Sequence, residues 1–210
     1  ERLRGLGRLF RVNRDIFLRS LCAMAVMLFF TATGARSGNM TLAVNALFMQ
    51  LYLLYSHFMD GFAYAGEALV GKYAGAADKH SLRRCVSHLF AWGWSLAAIF
   101  AFAYGVFNHE VMSLFSDKPE VVAFAAAYRW WIALAPIAGM AAFIWDGVFV
   151  GLTATRQMLL SLAGATTVYF AIYFLSPFPD ANSSLWTAFL TYLAVRGVIL
   201  WLCFARKNEY

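Results

Sequence analysis

Charge is what this sequence has least of. Only 13% of its 210 residues are Asp, Glu, Lys or Arg, about half the share of an ordinary soluble domain. A water-soluble globule with so little charge would expose large apolar patches. Disorder is excluded from the other direction, because a chain that is 62% hydrophobic buries too much apolar surface to stay unfolded. Proline is rare, with four residues, and no Gly-X-Y period runs through the chain, which removes the collagen-like fibres. Cysteine is scarce and odd in number: Cys22, Cys85 and Cys203 sit inside or at the ends of apolar runs, without metal spacing, and read as small buried hydrophobes. The four histidines, His57, His80, His88 and His109, form no cluster with acids, and no activated nucleophile is evident. The reading is therefore not an enzyme, with no metal and no cofactor.

What remains is a chain made for a bilayer. A spanning helix needs about 20 mostly apolar residues, and such runs occur near Ile16–Thr33, Thr41–Ala74, Cys85–Phe107, Val121–Val150, Met158–Leu175 and Leu185–Phe204. Turn and charge signals separate them at 34–39, 75–84, 108–120, 153–157 and 176–180. Strands of a membrane barrel would alternate apolar and polar residues, whereas these runs are apolar all round. The expected fold is all-α, a polytopic bundle of six transmembrane helices.

Positive charge sets the expected orientation. Arg2, Arg4, Arg8, Arg11, Arg14 and Arg19 lie at one end of the first span. Lys72, Lys79, Arg83, Arg84, Arg156, Arg206 and Lys207 fall on the same side. The opposite loops carry only Arg36 and Lys118. Lys and Arg counts decide topology, so both termini are expected in the cytoplasm, and the net charge of +6 calls for no nucleic acid. Tyr128, Trp130, Trp131, Trp186 and Trp201 are placed at the membrane interfaces. Two glycosylation-type triplets begin at Asn39 and Asn182, both in expected outer loops.

Ionisable groups inside a span are costly and default to a functional reading. Asp60, Glu67, Arg129, Asp146 and Arg196 qualify. Arg129, beside Trp130 and Trp131, reads as snorkelling to the outer surface. On the long second span, Asn45, Tyr52, Ser56, Asp60 and Glu67 fall within one stripe about 80° wide. Such a stripe faces partner helices or a water-filled cavity, and these five residues, with Gln50 off the main stripe, are the candidate substrate and cavity lining. Arg196 lies deep enough to want a partner, and an ion pair with Asp146 or Asp60 is expected to fix the helix arrangement or a gate. The fourth span offers a small-residue face of Ala135, Gly139 and Ala142 leading to Asp146, with Pro136 breaking its hydrogen-bond ladder.

The run from Asp60 through Gly61, Gly66, Glu67, Gly71 and Gly75 to Asp78 resembles the multidrug and toxic compound extrusion (MATE) transporters. So does the segment from Asp146 and Gly147 to Arg156, with Asn13–Ser20 and Arg196-Gly197. Together these look like the C-terminal six-helix lobe of the DNA-damage-inducible-F branch. The resemblance implies a secondary active antiporter of the inner membrane that extrudes small organic compounds, often cationic or amphipathic, in exchange for protons or sodium by alternating access. It also implies a missing partner, the N-terminal six-helix lobe. Residues 1–14 would be a cytoplasmic interlobe linker, with Leu3, Leu6, Leu9 and Phe10 on the membrane surface, residues 15–205 the lobe, and 206–210 a cytoplasmic tail. An opening residue of Glu1 in place of methionine fits that organisation.

The sodium-coupled branch carries acids in the first and fourth helices of this lobe. Here the first helix has none inside the membrane, and Gly139 occupies the corresponding position in the fourth. In the branch that this chain resembles, the usual coupling acid belongs to the other lobe. The competing reading is a self-sufficient six-helix protein that forms a homodimeric pore or half-transporter.

Overall fold

The computed structural model of the protein describes residues 2–176 and 180–206. Among them it holds seven helices and no strand: α1 (Arg2–Arg36), α2 (Asn39–Gly75), α3 (Lys79–Val106), α4 (Asn108–Phe115), α5 (Pro119–Gly151), α6 (Thr155–Leu175) and α7 (Ala181–Arg206). All except α4 are long and apolar enough to cross a membrane, so this is a multi-pass membrane protein. The helices overrun the apolar runs by a few residues at most ends, because polar flanks continue the backbone ladder into the headgroup layer. α1 passes through residue 14 without a break. The side chains of residues 2–9 and 11, on which the membrane-surface expectation rests, lie outside the described residues, as do Glu1, Pro177–Pro179 and the tail from Lys207.

One break is not a loop. Residues 108–115 form α4, whose Asn108 and Met112 are buried and which packs against α5. Its eight residues are too few to show as a span, but the wholly buried Met112 is enough to anchor it. The turn between α2 and α3 is closed by Asp78, whose carboxylate accepts from the Ser81 amide at 3.0 Å. This N-cap holds the Asp78 carboxyl below its ordinary value, chiefly through the Ser81 hydrogen bonds, since both favour the charged form.

α5 is the axis of the bundle. Two thirds of its most apolar stretch (67%) is buried, against 17% for α1, and it packs on α2, α3, α7 and α4. Gly147 sits where any β-carbon would overlap the Ala63 backbone, and a β-carbon on Gly151 would lie 2.7 Å from the Glu67 carbonyl oxygen. Backbone therefore meets backbone along the α2–α5 seam, the usual device where lipid gives no hydrophobic drive to helix association. The Asp60-Gly61 pair repeats the Asp146-Gly147 sequence but not this role: nothing lies within 4 Å of a β-carbon on Gly61.

Pro136 stands inside α5, and the Tyr55 hydroxyl donates to its carbonyl at 3.0 Å. Nearby, the Tyr104 hydroxyl donates to the Leu51 carbonyl at 2.8 Å. These bonds join helices through backbone acceptors deep in the apolar core, where an unpartnered hydroxyl would be costly.

Candidate functional site

Three helices meet at one carboxylate. Asp146 on α5 accepts from the Arg19 guanidinium of α1 at 2.7 Å and, in the closest polar contact of the cluster, from Arg196 of α7. The Asp146 and Arg196 side chains are only 16% and 12% exposed, while Arg19 is 29% exposed. Asp146 lies near the end of α5 and Arg196 deeper in α7, and the long arginine side chain spans the difference in height. Of the two partners open to Arg196, the structure selects Asp146. Asp60 forms no ion pair among the described residues, although it and Tyr52 lie within Coulombic reach of Arg196.

Arg19, expected among the surface arginines, belongs instead to this cluster. The signal was available: it lies seven residues into the first apolar helix, beyond Val12, too deep for the loop. With two guanidiniums on one carboxylate, the triad itself carries an excess positive charge. It locks α1, α5 and α7 in register, the best-attested use of a buried ionic group.

The stripe on α2 changes character along its length. At the start of α2, Asn45 is buried, donates to the Asn182 side chain at 2.7 Å and accepts from the Trp186 indole at 2.9 Å. Trp186 is wholly buried, which corrects its placement at the interface; Trp130 and Trp201, 61% and 54% exposed, do sit outside. Asn182 is buried as well and is closed to glycosylation, whereas Asn39 is exposed. Tyr52 is buried against Phe143 and Phe189. Asn45 also touches a cleft of about 190 Å³ between α1 and α2, shared with Gln50.

Further along, Ser56 and Asp60 are half-buried and Glu67 is exposed. Ser56 donates only to its own helix, at Leu53. The exposed polar face is broader than the stripe anticipated. Gln50, His57 and Tyr64 recur every seven residues, all exposed, and therefore share one face about 40° wide. Asp60 and Glu67 border it. His57 and Tyr64 were missed because each stands alone in an apolar run and only the uncovered face unites them.

Arg129 is exposed and lies over the Trp130 ring at 5.1 Å, as snorkelling requires. Cys85 is buried, Cys22 and Cys203 partly so, and all three are free. The described residues hold no group of three metal-ligating side chains.

Comparison with known proteins adds a family. The MatE family model matches residues 16–175. The chain is 33% identical over 193 residues to DNA damage-inducible protein F of Escherichia coli K12, covering 92% of this chain and 42% of that protein. It is 23% identical over 180 residues to Protein DETOXIFICATION 45, chloroplastic, of Arabidopsis thaliana, covering 86% and 32%. Among solved structures, a MOP superfamily transporter from Pyrococcus furiosus, described as having a binding pocket of reverse polarity, overlays with a TM-score of 0.70. That overlay covers 95% of this chain and 45% of that one at 13% identity, a likeness of fold. The chain thus spans less than half the length of the relatives it matches.

Proposed function

The chain belongs to the MatE family, and from that premise we propose that it is the C-terminal six-helix lobe of a secondary active efflux antiporter for small organic compounds. In this reading the partner is an N-terminal lobe of like size, the driving ion is a proton or sodium, and the two lobes rock about a central cavity in the inner membrane. The basic helix ends face the cytoplasm, by the positive-inside rule.

The observation that carries the proposal is the uncovered face of α2. A membrane helix cannot present Gln50, His57 and Glu67 to hydrocarbon, since polar and ionisable groups there are costly; water or protein must cover them. The relatives, more than twice as long as this chain, offer a second lobe as that cover. Asp60 and Glu67 line the cavity margin at the basic end, while Asn45 and Tyr52 seal the opposite half. Asp146, Arg19 and Arg196 act as a brace that lets the lobe move as one piece.

Reconstituting the protein together with its second lobe in vesicles, imposing a proton or a sodium gradient and following efflux of a fluorescent organic cation tests this. Glu67→Gln and Asp60→Asn are expected to cut gradient-driven flux about tenfold, the effect of losing about 1.4 kcal/mol. Full gradient-driven flux by the six-helix chain alone would favour a homodimeric pore or half-transporter. Flux indifferent to any ion gradient would exclude an antiporter.

A further inference from the structure

A second site lies away from the α2 polar face. At 100° per residue, the exposed arc of α2 divides in two. Gln50, His57, Tyr64 and Glu67, with Leu53 among them, occupy one half, and Leu54, Phe58 and Leu69 the other, these last three being 41%, 52% and 40% exposed. The apolar half borders an open groove of about 530 Å³ between α2 and α3, at the basic end of the bundle. Its α3 wall is built from Ser81, Arg84, His88 and Trp92, which recur at three- and four-residue spacing and so share one helix face. Its α2 wall contributes Phe62 and Leu69.

The groove is graded along the membrane normal. Arg84 and His88 are both exposed, and Arg84 makes no salt bridge among the described residues. Lys72, Lys79 and Arg83 are exposed around the same end. Towards the bilayer centre, roughly 12 Å deeper by helix rise from Arg84 to Trp92, the walls become Trp92, 65% exposed, with Phe62 and Leu69. An unpaired cation and an imidazole at headgroup depth above an aromatic, apolar floor is the chemistry of an anionic phospholipid. Basic pockets between helices hold such headgroups.

We propose that the α2–α3 groove binds an anionic phospholipid from the leaflet at the basic end of the bundle, with its phosphate on Arg84, His88 alongside, and one acyl chain along Trp92, Leu69 and Phe62. The groove lies about 130° around α2 from the Gln50–His57–Tyr64 face, so lipid reaches it whether or not a second lobe covers that face. Retained lipid here would tie α3 to α2 where they meet.

Native mass spectrometry of the detergent-solubilised full-length protein tests it, using phosphatidylglycerol and phosphatidylethanolamine at equal concentration. The protein is expected to retain phosphatidylglycerol about fivefold better, the preference that about 1 kcal/mol per basic residue supplies. Arg84→Ala with His88→Ala abolishes that preference, Arg84→Lys keeps it, and Arg129→Ala at the other end leaves it unchanged. Far-UV circular dichroism and size-exclusion elution verify folding of each variant. Equal retention of the two lipids, or a preference that survives the double substitution, overturns the proposal. Displacement of bound phosphatidylglycerol by inorganic phosphate alone also overturns it, in favour of a free-anion site.

Discussion

The Arg19 guanidinium donates to the Asp146 carboxylate at 2.7 Å, joining residues 127 apart in the sequence. Removing the acid strands two partly buried cations, whereas removing one arginine leaves an intact pair. Asp146→Leu is therefore expected to destabilise the bundle by about 3–5 kcal/mol, the range for breaking a buried pair. Arg19→Gln should cost less, because this arginine is the more exposed of the two. Adding Arg19→Gln and Arg196→Gln to Asp146→Leu should recover part of the loss. Thermal unfolding followed by size-exclusion chromatography in detergent ranks the variants. A triple variant no more stable than Asp146→Leu would show that the brace does not work as described.

Two glycines with the same preceding residue should behave differently. Gly147→Ala drives a methyl into the Ala63 backbone and is expected to prevent recovery of monodisperse protein, beyond the roughly 1–3 kcal/mol of ordinary overpacking. Gly61→Ala meets open space and should be neutral in yield and melting temperature. Equal behaviour of the pair would contradict the α2–α5 seam.

Trp186→Phe keeps the ring in the core but withdraws the donor that Asn45 uses at 2.9 Å. The stranded carbonyl should cost about 1–3 kcal/mol. Asn45→Leu combined with Trp186→Phe removes both halves and should lose less than the sum of the single variants. A double-mutant cycle in melting free energy measures the coupling.

At the start of α3, the Asp78 carboxyl titrates below its ordinary value of 3.8 because Ser81 hydrogen-bonds its charged form. A carboxyl lowered on folding contributes stability that is present above the unfolded value and is lost as pH falls through the folded one. Fraying of α3 is therefore expected only at pH below the common carboxylate range. Hydrogen exchange at the Ser81 amide should quicken there, and in Asp78→Ala it should be fast at all pH values. Slow exchange in Asp78→Ala would mean that the cap does not hold this helix end.

Much of the fold was legible because hydropathy and length alone define a span, and each of the six runs became a helix. α4 escaped because eight residues carry too few periods to separate from a loop. The ion pair of Arg196 with Asp146 was readable from depth, since a lone cation inside a span needs an acid at similar height. Arg19 was hidden by its neighbours, as five arginines before it made the sixth look like one more surface charge. Trp186 was misplaced because tryptophan near a helix end is usually interfacial; only the tertiary meeting of α2 and α7 gives its indole a partner inside the core. The exposed face of Gln50, His57 and Tyr64 needed the structure too, since sequence cannot say which side of α2 its neighbours leave bare.

The brace also has an order in time. A ribosome delivers α1 to the bilayer long before it makes Asp146, so Arg19 first meets the membrane with no acid to answer it. In that interval its long side chain must reach back to the headgroups. Only after α5 and α7 have been inserted can the guanidinium turn inward. The first helix of this bundle is thus among the last to be locked, and a nascent chain halted before α5 should leave Arg19 open to water.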